Sequence, residues 1–83
     1  MFTIYVLYSE GFDKIYIGFT SDLKLRLVSH NHFRNKGWTK RYQPWKIIYT
    51  EEFTTKAEAL KREKELKSSR GRLFIRKEIV DKI

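Results

Sequence analysis

"KIYIGFTSDLKLRLVSHN", residues 14–31, decides the fold. Its first seven residues alternate. Ile15, Ile17 and Phe19 fall on one side and Tyr16 and Gly18 on the other, the two-residue period of a strand. After Thr20 the period changes. Leu23 and Leu27 are four apart and are expected to face a core, with Val28 beside Leu27. Arg26 and His30 are also four apart, so they stack on a neighbouring stripe of the same helix. Thr20 or Ser21 is expected to cap that helix, with Asp22 in its first turn, where negative charge suits the helix dipole. The helix is expected to fade between Asn31 and Asn35. Tyr16, Arg26 and His30 are either ordinary parts of a small basic domain or groups placed to act on something.

Before this stretch, "FTIYVLYS" (2–9) alternates as well, with Ile4, Val6 and Tyr8 on one side and Thr3, Tyr5 and Leu7 on the other. "EGFD" (10–13) supplies a turn, so the two strands form an antiparallel hairpin. After the first helix, "FRNKGWTKRYQP" (33–44) is a basic, aromatic loop stopped by Pro44, and "WKIIYTEEF" (45–53) reads as a third strand. "TTKAEALKREKELK" (54–67) is a helix opened by a capping box, Thr55 with Glu58. Ala59, Leu60 and Leu66 define its apolar face. "SSRG" (68–71) is expected to break it, and "RLFIRKEIVDKI" (72–83) to form a closing helix with Ile75, Ile79 and Ile83 at four-residue spacing. The order β-β-α-β-α-α predicts an α+β fold, a small sheet flanked by helices, with residues 1–83 as one domain.

The charge balance narrows the partners. Eighteen Lys and Arg against ten Asp and Glu give +8, which favours polyanions, chiefly nucleic acid. The basic residues do not lie on one amphipathic helix, which argues against a membrane-surface role. The chain has no cysteine, so disulfides and thiolate metal sites are excluded, which fits the cytoplasm. No apolar run reaches the ~18 residues of a membrane span. No signal peptide is visible. Gly-rich phosphate loops, dinucleotide fingerprints and nucleophile-elbow sequences are absent. His30 and His32 lie in one short segment with no carboxylate or thiol at zinc-site spacing, which argues against a structural zinc.

Glu63 is the sharpest single signal. It falls on the apolar stripe of the second long helix, where an ionised carboxylate is costly unless compensated. A buried Arg or Lys, a hydrogen-bond network or a divalent metal would each serve, and Lys67, one turn on, is the local structural partner. Arg26 could fork onto a phosphate and stabilise charge developing during its displacement, and His30 could donate a hydrogen bond or move a proton. The bland reading of both is a solvated helix face. Tyr5 and Tyr16 are sheet residues on propensity alone, although cations nearby could fit a tyrosine to act as a base. Arg34, Lys36, Trp38, Lys40, Arg41 and Tyr42 interleave cations with rings, as a nucleic-acid surface does. Lys61, Arg62, Lys64, Lys67, Arg70, Arg72, Arg76 and Lys77 form a second basic concentration, part of it solvated helix.

Read together, these residues resemble the GIY-YIG nuclease superfamily. "TIY" (3–5) occupies the place of GIY, and "YIG" (16–18) matches YIG outright. Arg26 follows at the expected distance, His30 matches a histidine one turn later in some members, and Glu63 in "ALKREKELK" matches the metal-binding glutamate. The chain is most similar to small single-domain members that resemble the N-terminal incision domain of excision-repair nucleases. The resemblance implies a three-stranded antiparallel sheet flanked by helices, with the family's residues gathered on one concave surface. It implies an endonuclease that hydrolyses DNA phosphodiesters with one Mg²⁺ or Mn²⁺, in repair or processing of branched or damaged DNA. Tyr5, Tyr16, Arg26, His30 and Glu63 would be catalytic, Glu63 holding the metal and Gly18 permitting close approach. Arg34, Lys36, Trp38, Lys40, Arg41, Tyr42, Arg62, Lys67 and Arg70 would grip nucleic acid. Two departures stand out: Thr3 replaces the first glycine, and no asparagine follows Asn35. The alternatives are a non-catalytic nucleic-acid-binding module of the same fold, or an accessory domain docking a protein partner.

Overall fold

A computed structural model of the chain describes residues 1–32, 34–35 and 37–83. Strands β1 (Phe2–Ser9) and β2 (Lys14–Thr20) lead into α1 (Leu23–Asn31), then a 3-10 helix at Trp38–Tyr42 and β3 (Lys46–Phe53). Helices α2 (Lys56–Lys67) and α3 (Ser69–Glu78) follow, closed by a 3-10 turn at Val80–Lys82. The sheet is antiparallel, in the order β2-β1-β3. The expected α+β fold and element order are both present. β1 is central, which explains why four consecutive residues, Ile4 to Leu7, are buried.

The alternation in β1 and β2 separates two cores as the sequence predicts. Ile4, Val6, Ile15 and Ile17 pack with Ala59, Leu66 and Ile75 beneath α2 and α3. Tyr5 and Leu7 pack with Trp45 on the other face, joined by Tyr16, Leu23, Leu27 and Tyr42. The chemically interesting tyrosines therefore share the face that carries α1 and the 3-10 helix.

Several expectations are corrected. Asp22, not Thr20 or Ser21, is the cap of α1: its carboxylate accepts from Leu25 N at 3.1 Å, while Thr20 Oγ1 accepts from Asp22 N at 3.0 Å. Leu60, placed on the apolar face of α2, is exposed; Ile83, expected on the closing helix, falls beyond the end of α3 and is exposed, as is Val28 beside Leu27. The break after α2 is confined to Ser68. Its hydroxyl donates to Glu65 O at 2.5 Å and accepts from Gly71 N at 3.1 Å, so one serine closes α2 and opens α3. α3 therefore starts at Ser69 rather than Arg72 and ends at Glu78. Gly71 makes this tight corner possible: a Cβ there would stand 2.3 Å from Glu65 O and 2.5 Å from Leu66 Cα. The hairpin turn is tied to α3. Arg76 donates to Asp13 Oδ1 at 2.5 Å and to Asp13 O at 3.0 Å, and Tyr8 Oη donates to Asp13 Oδ1 at 2.8 Å.

Candidate active site

The site grows from one cross-strand pair. Tyr5 on β1 faces Gly18 on β2. A Cβ at Gly18 would lie 2.6 Å from Tyr5 Oη and 2.8 Å from Tyr5 Cζ. The glycine of the YIG sequence thus makes room for the Tyr5 phenol, a different use from the close approach expected for it. Tyr16, two residues earlier on the same face, packs its ring 6.2 Å from that of Tyr5 at 27°.

Helix α1 then brings His30 against both rings. His30 Nε2 lies 3.1 Å from Tyr5 Oη, and the imidazole sits 4.6 Å from the Tyr16 ring. Behind it, His30 Nδ1 is 3.1 Å from Thr39 Oγ1. Thr39 also accepts from Asn35 Nδ2 at 2.6 Å, and Gln43 Nε2 donates to His30 O at 2.7 Å. Asn31 clasps the Trp45 backbone, accepting from Trp45 N at 2.6 Å and donating to Trp45 O at 3.0 Å. Both ring nitrogens of His30 are therefore engaged, and the ring is held in one orientation. Thr39, Asn35, Asn31 and Gln43 went unmarked in the sequence. They join α1 to the segment before β3 through contacts that follow no period.

Tyr16, Arg26, His30, Trp38 and Thr39 line one cleft of about 290 Å³, together with Ser29, Asn35 and Gly37. Burial, then the neighbouring Tyr16 phenol, push the Tyr5 phenol up from its usual pKa, while Arg26 pulls the other way. Burial, then the Arg26 charge, hold the His30 imidazole below its usual value, so it is neutral at pH 7. Arg26 itself is exposed and free to meet a ligand from solvent.

Glu63 lies on α2, below the other face of the sheet. Its side chain is only 18% exposed, consistent with the inward position read from the sequence, and Lys67 Nζ lies 3.6 Å away. Its charge still reaches Tyr5, where it raises the phenol pKa. Glu63 is thus within electrostatic reach of Tyr5 without lining the cleft. Among the described residues no three His, Asp or Glu side chains gather as an all-protein metal cage. A single shielded carboxylate fits Mg²⁺, which characteristically keeps several waters and uses one or two carboxylates plus substrate phosphate.

The expected nucleic-acid contacts divide. Trp38 lines the cleft and is 49% exposed, and Tyr42 packs 5.0 Å from it. Lys67 lines an adjoining groove. Arg34, Lys40 and Arg41 are exposed, and Lys36 lies outside the described residues. Arg62 and Arg70 line a different cavity. Arg62 is committed to a carboxylate: it donates from Nε to Glu51 Oε1 at 2.9 Å and from Nη2 to Glu51 Oε2 at 3.0 Å. Tyr49 also donates to Glu51. Although burial works against it, hydrogen bonds from Arg62 and Tyr49 hold the Glu51 carboxyl below its usual range.

The family described as "GIY-YIG catalytic domain" matches residues 1–77. The chain is 41% identical over 54 residues to a UPF0213 protein of Staphylococcus epidermidis, covering 65% of this chain and 66% of the relative, just under two thirds. It is 37% identical over 67 residues to a UPF0213 protein of Staphylococcus aureus, covering 81% and 79%. No solved structure gives a significant match. Among the described residues no helix is long and apolar enough to cross a membrane. The family is generally one of endonucleases that use a divalent metal on nucleic acid. The match over residues 1–77, with Tyr16 of the YIG sequence, Arg26 and His30 around one cleft, leads to one conclusion: the chain belongs to the GIY-YIG catalytic domain family.

Proposed function

We propose that the chain is a divalent-metal-dependent endonuclease hydrolysing phosphodiester bonds in DNA, in the cytoplasm, during repair or processing of branched or damaged strands. Residues 1–83 act as one catalytic unit. The observation that carries this reading is the meeting of Tyr16, Arg26 and His30 at one cleft, with Tyr5 bonded to His30 behind them.

The substrate phosphate enters from the Arg26 side. Its non-bridging oxygens meet the guanidinium fork, which stabilises the charge that grows as water attacks. Tyr16 is the more accessible tyrosine and touches the attacking water. The water proton passes to Tyr16 as Tyr16 passes its own to Tyr5 and Tyr5 passes its own to the neutral His30 Nε2. The resulting hydroxide bonds to phosphorus, and the phosphorus–oxygen bond to the leaving strand breaks. Tyr5 serves as a link in this path rather than as a free phenolate, since burial opposes its ionisation. Glu63 would hold Mg²⁺ or Mn²⁺, which supplies Lewis-acid polarisation of the phosphate and stabilises the leaving oxygen.

One observation favours a second reading. The Lys67 ion pair already compensates Glu63, as a binding module with no metal would require. Incubation with labelled single-stranded, duplex, flapped and four-way DNA in Mg²⁺ or Mn²⁺ separates the two. Metal-dependent cleavage supports the nuclease. Tight binding with every strand intact supports the module.

A further inference from the structure

The cleft does not end at Tyr16. A groove of about 530 Å³ adjoins it, lined by Lys14, Tyr16, Trp38, Lys67, Arg72 and Arg76 with the β2 residues between. Tyr16 and Trp38 stand in both spaces. Strand β2 is an edge of the sheet, and the groove crosses it, joining the face that carries Trp38 to the face that carries α2 and α3. We propose that this groove holds a short segment of unpaired DNA flanking the cleaved phosphate, with one base stacked on Trp38 and phosphates gripped by Lys14 and Arg72. The inference rests on the nuclease reading for where the cleaved phosphate sits, and deepens it by making unpaired DNA the substrate.

Three observations carry it. First, Trp38 is braced yet half exposed. Its ring packs 5.0 Å from Tyr42 and 5.8 Å from the buried Trp45, while 49% of the residue meets solvent. Its neighbour Thr39 is buried, bonded to His30, and receives the Trp45 indole N–H at its carbonyl at 2.7 Å. A ring so fixed offers a stacking surface at little cost in side-chain entropy. Base faces are available to such a surface only when the base is unpaired. Second, the charge is complementary. Lys67 and Arg76 are paired with Glu63 and Asp13, but Lys14 and Arg72 have no ion pair among the described residues. Among the described residues the Arg72 side chain donates only to Lys67 O at 3.1 Å, and Lys14 lies 5.6 Å over the Tyr42 ring. Third, the space is of small-ligand size, within the ~300–1,000 Å³ typical of such sites, which suits single nucleotides rather than a duplex.

The test is equilibrium binding in EDTA, where cleavage cannot interfere. The probes are a labelled oligothymidylate of about 12 nucleotides, within the usual span of single-strand sites, and a hairpin duplex of equal phosphate count. Oligothymidylate is expected to quench tryptophan emission. Trp38→Ala is expected to weaken its binding by about 5- to 150-fold, the loss seen per stacked base, and to leave duplex binding within twofold. Trp38→Leu keeps apolar bulk without a ring and must lose as much, while Trp38→Phe keeps a ring and must stay close to wild type. The blue-shifted emission of Trp45 reports that each variant has folded. Arg72→Ala is expected to reduce the salt slope by about 0.7 for one lost phosphate contact. Wild-type affinity in both Trp38→Ala and Trp38→Leu would overturn the proposal. So would equal losses on oligothymidylate and duplex, and tighter binding of oligouridylate than oligothymidylate would overturn the choice of DNA. Stacking without any cleavage in metal would sink the nuclease reading alone. Cleavage with no dependence on Trp38 would sink this one alone.

Discussion

Gly18→Ala tests how the fold builds the site. The added Cβ would meet Tyr5 Oη at 2.6 Å, Tyr5 Cζ at 2.8 Å and Tyr16 Cε1 at 3.1 Å. Tyr5 is 2% exposed, so its ring cannot retreat into solvent. Overpacking of this kind costs about 1–3 kcal/mol. Displacing the Tyr5 hydroxyl from His30 adds about 0.5–1.5 kcal/mol, and alanine's lower chain entropy returns about 0.5–1 kcal/mol. The net loss is about 0.5–4 kcal/mol. At roughly 4–8 °C per kcal/mol for a domain of this size, melting should fall by about 2–32 °C. Urea unfolding followed by Trp45 fluorescence measures the same loss. Combining Gly18→Ala with Tyr5→Phe removes the atom struck first, so the double variant should be more stable than the two single losses sum to. Gly11→Ala is the control, since a Cβ there has nothing within 4 Å. A Gly18→Ala protein as stable as wild type would refute the packing reasoning.

Gly71→Ala should be at the costly end of overpacking, about 3 kcal/mol, because its neighbours are the α2 backbone and cannot move aside; thermal melting measures it. Arg62→Ala strands the Glu51 carboxylate, whose side chain is 22% exposed, and should cost about 1–3 kcal/mol in urea unfolding. DNA affinity should not change, because Arg62 lines neither the cleft nor its groove. His30 carries the pH dependence. Its folded pKa lies below the unfolded value of about 6.5, so its contribution to stability is complete above that value and is lost as pH falls through the folded pKa. Cleavage should lose rate over the same acid window, and His30→Gln should remove the stability change from it; a pH series of urea titrations checks the sign.

Much of this arrangement is legible in the sequence, for definable reasons. Alternation in β1 and β2 separates Tyr5 and Tyr16 from Ile4, Val6, Ile15 and Ile17, and a strand can hardly violate that period. Glu63 is visible because a carboxylate interrupts an apolar stripe. Periodicity locates a stripe but not how much of it is covered, so Leu60 falls on the apolar face of α2 by spacing yet is exposed in the fold. The α2–α3 corner hides because one serine performs two caps, which a reading of "SSRG" as a breaker overlooks. The His30 cradle depends on Thr39, Asn35 and Gln43, polar residues whose partners lie across a loop. The groove gathers residues from Lys14 to Arg76, a juxtaposition that only the folded chain presents.

The most direct measurement is the single-turnover cleavage rate of a labelled flapped DNA against Mg²⁺ concentration, for wild type, Glu63→Gln and Arg26→Ala. Both variants must first show wild-type melting, and each rate is read at saturating protein so that weaker DNA binding does not enter it. The expected result is cleavage that saturates with metal in the wild type and disappears with Glu63→Gln. Arg26→Ala should fall by about 10²–10³-fold, the usual cost of removing a group that meets developing charge. Cleavage by Glu63→Gln at the wild-type rate and metal dependence would contradict the assignment of the carboxylate and the metal chemistry built on it.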